Sequence, residues 1–96
     1  MQEFRIILKP DAIKDLDKLR KYDATMIVDH IERHLHFEPA RESRARIKRL
    51  RGVQPADYRL RVEPYTVFYR IVEEEVHVLR GMHKDQTSRF YEEESQ

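Results

Sequence analysis

Apolar and polar residues alternate along YRLRVEPYTVFYRI, residues 58–71, and only Glu63-Pro64 separates the two alternating runs. A side-chain period of two belongs to β-strands. So short a break between two such runs predicts a pair of antiparallel strands. In the first run Tyr58, Leu60 and Val62 alternate with Arg59 and Arg61; in the second, Tyr65, Val67, Tyr69 and Ile71 share one side. Another strand is predicted over residues 76–82, beyond the acidic stretch Glu73-Glu74-Glu75. That stretch lacks the Asn-Gly signal, which leaves its turn type open. A shorter run at residues 46–50 reads as a further strand.

Before residue 40 the period is different. Residues 4–8 (FRIIL) read as a strand, stopped by Pro10. Pro10 and Asp11 suit the first turn of a helix, where a missing N–H costs nothing and a carboxylate meets the dipole. Ile13, Leu16 and Leu19 follow at helical spacing. Asp23 is the expected N-cap of a second helix, in which Ile27, Ile31 and Leu35 recur every four residues until Pro39 stops it. The first third therefore predicts a strand and an antiparallel helical hairpin, and residues 84–94 a short terminal helix. The expected fold is α+β: an N-terminal strand, a helical hairpin, then a mainly antiparallel sheet of about four strands with the helices on one face and a short C-terminal helix.

Ninety-six residues suit a single domain over 1–96 with one modest core. The net charge of +1 predicts no nucleic-acid partner, but the charges are unevenly placed. Residues 41–51 hold six Lys/Arg and one acid, Glu42, whereas Glu92, Glu93 and Glu94 stand together near the C-terminus. The absence of cysteine excludes disulfides and thiolate metal sites. No apolar run approaches the roughly 18 residues of a membrane span, and MQEFRIILKP has no signal-peptide layout. A cytoplasmic protein without membrane contact is the expectation.

The ordered set RIKRLRG, YRLRVEPYTVFYRIVEEEVHVLRGMHK and, at the start, FRIILKPDAIKDLDKL resembles the RelE/ParE superfamily of toxins from type II toxin–antitoxin systems. The likeness covers nearly the whole chain. It implies the microbial-RNase-type α+β fold of that superfamily and a cognate antitoxin that wraps and neutralises the toxin in a hetero-oligomer. Two activities go with the superfamily. RelE-like members are mRNA interferases: endonucleases that cleave mRNA in the ribosome without a metal or other cofactor and so inhibit translation. ParE-like members are not nucleases and poison DNA gyrase. A third reading is a degenerate toxin that only binds its antitoxin.

Metal-free RNA cleavage drives the 2′-hydroxyl onto the adjacent phosphate. It needs a base, cations for the phosphorane and an acid for the leaving 5′-oxygen. The resemblance places Arg59 and Arg61 among the catalytic cations, and their period-two spacing aims both at one face; the alternative is a solvated strand face. Some nuclease members, resembling the YoeB type, carry an acid/base His where His83 stands, and the ordinary imidazole pKa, about 6.5, suits that role. Tyr91 falls near the RelE-type catalytic tyrosine, or else packs the terminal helix on the sheet. Arg46, Lys48, Arg49, Arg51 and Lys84 are candidate RNA phosphate contacts, or a charged edge that blocks strand pairing. Two residues depart from the nuclease pattern. Thr66 stands where cleaving members usually have arginine, and Asp85 where RelE-like members often have another.

His30 and His34 share one helix face four residues apart, a spacing two metal ligands can use. With no HExxH context and no third ligand, no metal site is expected. Ile13, Leu16, Ile27 and Ile31 are the candidate antitoxin-docking ridge, if their apolar surface exceeds what the core takes up. The favoured reading is a ribosome-dependent mRNA endonuclease whose partners are antitoxin, ribosome and mRNA. The alternative target is DNA gyrase.

Overall fold

The computed structural model describes residues 2–51 and 55–87. Seven elements occur in the order β1 (Arg5–Leu8), α1 (Pro10–Asp17), α2 (Lys21–Leu35), β2 (Ile47–Arg49), β3 (Tyr58–Val62), β4 (Tyr65–Val72) and β5 (Glu75–His83). Residues 84–87 then form one helical turn. The rest of the expected terminal helix, with Tyr91 and the acids at 92–94, lies outside the described residues.

All five strands form one sheet in the order β1-β5-β4-β3-β2. The pairings β2–β3, β3–β4 and β4–β5 are antiparallel, as the hairpin pattern predicts. The N-terminal strand joins the same sheet, parallel to β5 with Ile6 opposite Val76, so the sheet is mixed. Glu63 and Pro64 make the β3–β4 turn. Glu73 and Glu74 make the β4–β5 turn, and Glu73 takes a left-handed φ of 56° that supplies the tight reversal usually given to glycine or asparagine. Phe68 pairs with Arg80 but Tyr69 with Val78, so Leu79 is an extra residue in β5. Such a bulge bends the strand and re-aims the side chains beyond it.

Pro10 opens α1 and Asp11 lies in its first turn, as the sequence indicates. The start of α2 differs from expectation. Arg20, not Asp23, takes the N-cap position, with extended φ −61° and ψ 148°, and the helix runs from Lys21. Asp23 sits inside the first turn, where the helix dipole favours its charge. Its carboxylate is engaged elsewhere: Tyr65 on β4 donates its hydroxyl to Oδ2 at 2.9 Å, and Arg20 approaches at 3.6 Å.

Both helices cover one sheet face. Ala12 and Leu16 of α1 and Ile27, Ile31 and Leu35 of α2 pack with Leu60, Val62, Tyr65, Val67, Tyr69, Val76 and Val78. Each fully buried Leu or Ile contributes about 1.5–3 kcal/mol. This corrects the docking ridge: Leu16, Ile27 and Ile31 are core residues, because the i, i+4 stripe of α2 is the stripe that meets the sheet. Ile13 alone of the four is exposed, at 45 %. Tyr69 is wholly buried in the same core, and its hydroxyl donates to the Pro39 carbonyl at 2.6 Å. Among the described residues no helix is long and apolar enough to cross a membrane.

Candidate functional site

The face opposite the helices is set by strand alternation. With Leu60 and Val62 in the core, Arg59 and Arg61 turn to the other side. Cross-strand neighbours share a face. Lys48, Arg59, Phe68 and Arg80 thus make one row, and Arg61, Thr66 and Met82 the next. Arg70, opposite His77, extends the face beyond the bulge. The cations of this face are Lys48, Arg59, Arg61 and Arg70, ranged about Phe68 and Thr66, both fully buried, while the Arg80 guanidinium is taken up by Asp15 of α1. Arg61 Nε and Thr66 Oγ1, side by side in register, are buried and have no hydrogen-bond partner among the described residues.

Arg61 is also held at its tip. Its Nη1 donates to Glu63 Oε1 at 3.1 Å, and Lys84 Nζ lies 3.7 Å from the other oxygen, Oε2. The hydrogen bond from Arg61, with the nearby positive charge of Lys84, lowers the Glu63 pKa, so the carboxylate is ionised at neutral pH. The Lys84 backbone N–H donates to the Pro64 carbonyl at 2.8 Å, which fixes the end of β5 against the β3–β4 turn. Glu63 is a site residue that the sequence reading did not single out. Its signal was its place: two residues after Arg61, in the turn that the end of β5 crosses.

His83 stands beside this group on a different side. It pairs in register with core-facing Tyr65, whose ring meets the imidazole edge-on at 5.8 Å. Arg59 and Arg61 project from the other face, so the three do not share a surface; His83 reaches the Arg61 group through its neighbour Lys84. His83 Nδ1 lies 3.1 Å from the Asp85 backbone nitrogen and 3.4 Å from the Asp85 carboxylate.

The basic run of residues 41–51 divides. Lys48 lies opposite Arg59 on the cationic face. Arg49 is turned the other way, its guanidinium 5.9 Å from the centre of the Tyr58 ring, which in turn stacks on Tyr69. Arg46 lines a cavity against α2. Arg51 is exposed. His30 and His34 stack at 5.5 Å. Burial lowers both pKa values, with Arg46 adding to the effect. No group of three or more His, Asp or Glu among the described residues could hold a metal.

A family model described as the ParE toxin of the type II toxin–antitoxin system parDE matches residues 6–87. The chain belongs to this toxin family. No curated protein matches it. Among solved structures, it is similar to a chain of the RelBE2 toxin–antitoxin complex from Mycobacterium tuberculosis, at 26 % identity and a TM-score of 0.71, covering 84 % of this chain and 98 % of that one. It is also similar to a chain of the archaeal RelE–RelB complex from Pyrococcus horikoshii, at 21 % identity and TM-score 0.69, over 86 % and 97 % of the two chains. A free double arginine-to-alanine mutant of the Escherichia coli toxin RelE gives TM-score 0.74 at 18 % identity, over 97 % and 95 %. The latter two likenesses concern the fold alone.

In this ParE-family toxin the site offers paired cations, one ionised carboxylate and one imidazole around the β3–β4 turn. Guanidinium and ammonium groups complement phosphate oxygens. A carboxylate and an imidazole are the usual acid and base groups for moving a proton at neutral pH.

Proposed function

We propose that this toxin is an mRNA endoribonuclease that acts on the ribosome and is neutralised by a cognate antitoxin with which it forms a hetero-oligomer. The observation that carries this reading is the cationic face centred on Arg59 and Arg61, joined through Glu63 and Lys84 to the end of β5 where His83 stands. A phosphate bridging Arg61 and Lys84 would replace the Glu63 contacts, and one of its oxygens would give Arg61 Nε a partner. Glu63, released beside the substrate, accepts the 2′-hydroxyl proton; the 2′-oxygen attacks phosphorus; and Lys84, whose ammonium holds the phosphate on the same side, gives a proton to the departing 5′-oxygen. The products are a 2′,3′-cyclic phosphate and a 5′-hydroxyl, with no metal or cofactor taking part. The antitoxin partner is supported by the toxin–antitoxin complexes among the similar structures.

The test is a reconstituted translation reaction with mRNA 5′ ends mapped by primer extension. New ribosome-dependent ends that disappear in Arg61→Ala are the expected result. Intact mRNA at growth-arresting concentrations would overturn it.

A second reading, inhibition of DNA gyrase, is favoured by the ParE family match and by Thr66, which puts a buried hydroxyl where the nuclease pattern has an arginine. A supercoiling assay separates the two, since a nuclease leaves gyrase turnover unchanged.

A further inference from the structure

A cavity of about 660 Å³ lies between the C-terminal end of α2 and the segment leading into β2, away from the Arg61 group. Arg33, His34 and Phe37 line it from the helix side, and Arg44, Arg46 and Ile47 from the other. We propose that this cavity seats one nucleotide of single-stranded RNA outside the cleavage position, the base on Phe37 and the flanking phosphates on Arg33, Arg44 and Arg46. The proposal rests on the RNA reading above and names a second contact for the same strand.

Three observations carry it. The first is uncompensated charge. Arg41, at the rim, is neutralised by Glu38 at 2.9 Å, and Glu42 is engaged by the Arg49 backbone N–H at 3.0 Å. Among the described residues none of Arg33, Arg44 and Arg46 is paired with a carboxylate. Three guanidiniums around one opening outweigh the partial negative charge of the helix C-terminus, about half an elementary charge. Burial lowers the His34 pKa most, and Arg46 and Arg33 add to it.

The second is an aromatic surface at the opening. Phe37 is a large apolar side chain left 42 % exposed, steadied edge-on by His36 at 4.5 Å. A base stacks on such a ring whatever its identity, while guanidiniums take the phosphates. The volume lies within the range of small-ligand sites, about 300–1,000 Å³. An acidic peptide would match the charge but leave the Phe37 face without a flat partner.

The third is continuity. The Arg46 carbonyl accepts the Arg61 backbone N–H at 2.8 Å, and Lys48, two residues on, faces Arg59. Two residues of strand span about 7 Å. One RNA strand lying across Arg61 and Arg59 reaches the cavity by turning round the β2 edge of the sheet past Lys48.

The experiment measures binding of a short fluorescein-labelled single-stranded RNA by anisotropy, across a salt series, with the full-length toxin. The variants are Phe37→Ala, the double Arg33→Ala/Arg44→Ala and, as a face control, Arg59→Ala/Arg61→Ala. All five side chains lie outside the apolar core, and circular dichroism verifies folding. Expected are a loss of roughly 5- to 100-fold for Phe37→Ala and a salt dependence shallower by about two charges for the double variant. Unchanged affinity and slope in both cavity variants, with binding lost in the face control, overturn the cavity and leave the RNA reading standing. Loss in the cavity variants with no mRNA cleavage by the wild type supports the cavity and removes the nuclease. No RNA binding by the wild type overturns both, as does tight binding of a poly-glutamate probe instead of RNA.

Discussion

Asp15 of α1 and Arg80 of β5 make a two-point contact, Nε to Oδ2 at 2.7 Å and Nη2 to Oδ1 at 3.1 Å. The same carboxylate accepts the Gly81 backbone N–H at 3.0 Å. β1 covers β5 only as far as Val78. Beyond it no described strand lies on the outer edge of β5, and Asp15 takes up a donor that a longer β1 would have used. Asp15→Ala is expected to lower stability by about 1–3 kcal/mol, because a half-buried N–H loses its acceptor. Asp15→Asn, which keeps one oxygen, should lose less. Urea unfolding of the two variants checks the order; equal midpoints to wild type would show that the contact contributes nothing.

Tyr69→Phe removes the hydroxyl donated to Pro39 and leaves that carbonyl unpaired in the core, a cost of about 1–2 kcal/mol. Burial holds the Tyr69 pKa well above the ordinary tyrosine value of 10.0. Above that pH the unfolded chain gives up its proton while the native one keeps it, so stability falls as alkalinity rises. Melting temperatures measured below and above pH 10 should show a steeper alkaline decline in wild type than in Tyr69→Phe.

Glu73→Gly is predicted to stabilise. A side chain at φ 56° is strained by about 1 kcal/mol or more, and glycine removes that cost while giving back part of it as unfolded-chain entropy. The expected gain is about 0.5 kcal/mol. It would be read as a higher urea midpoint at constant slope. A lower midpoint would show that the turn is not strained.

The stacked pair His30 and His34 gives the acid limb. Both pKa values are lowered, by burial first and then by Arg46. As pH falls through the ordinary value of 6.5 the unfolded chain takes up protons before the native one, so stability is present above that pH and declines below it. His30→Gln/His34→Gln should flatten the fall in melting temperature on acidification. An identical fall in the double variant would place the acid sensitivity elsewhere.

Glu63→Gln leaves Arg61 and Lys84 without the anion they share. RNA binding should tighten and its salt dependence steepen, since two more cations are available to phosphate, while cleavage slows if Glu63 is the base. Anisotropy titration and single-turnover cleavage read the two effects separately. Weaker binding would show that Glu63 serves to position the cations.

The parts of this fold that were legible were those set by local period. Tyr58 to Val62 and Tyr65 to Val72 show their strands through alternation, and Pro10 marks its helix start by its own geometry. What sequence reasoning missed depends on partners distant in the chain. Asp23 has the chemistry of an N-cap, but Tyr65 forty-two residues away claims its carboxylate. Ile27 and Ile31 are as apolar as any docking ridge, and only the sheet that meets them makes them core. The six cations of residues 41–51 read as one patch until strand alternation sends Lys48 and Arg49 to opposite faces. Nothing in the residues flags Leu79 as a bulge; it is set by the register of the neighbouring strand. The face carrying Arg59 and Arg61 needed only the period of two, whereas Glu63 needed the tertiary approach of Lys84.

The parallel pairing of β1 with β5 also sets an order of events during synthesis. Residues 5–8 emerge from the ribosome early, yet among the described residues their strand partners are residues 75–78. Much of α1 packs on β5 as well, through Asp15, Arg80 and Gly81. A nascent chain halted before β5 therefore has an unpaired first strand, a first helix without its support and no Lys84 to meet Glu63. Contacts so far apart along the chain close late. The Arg61–Glu63–Lys84 group is therefore completed only after β5 has been made.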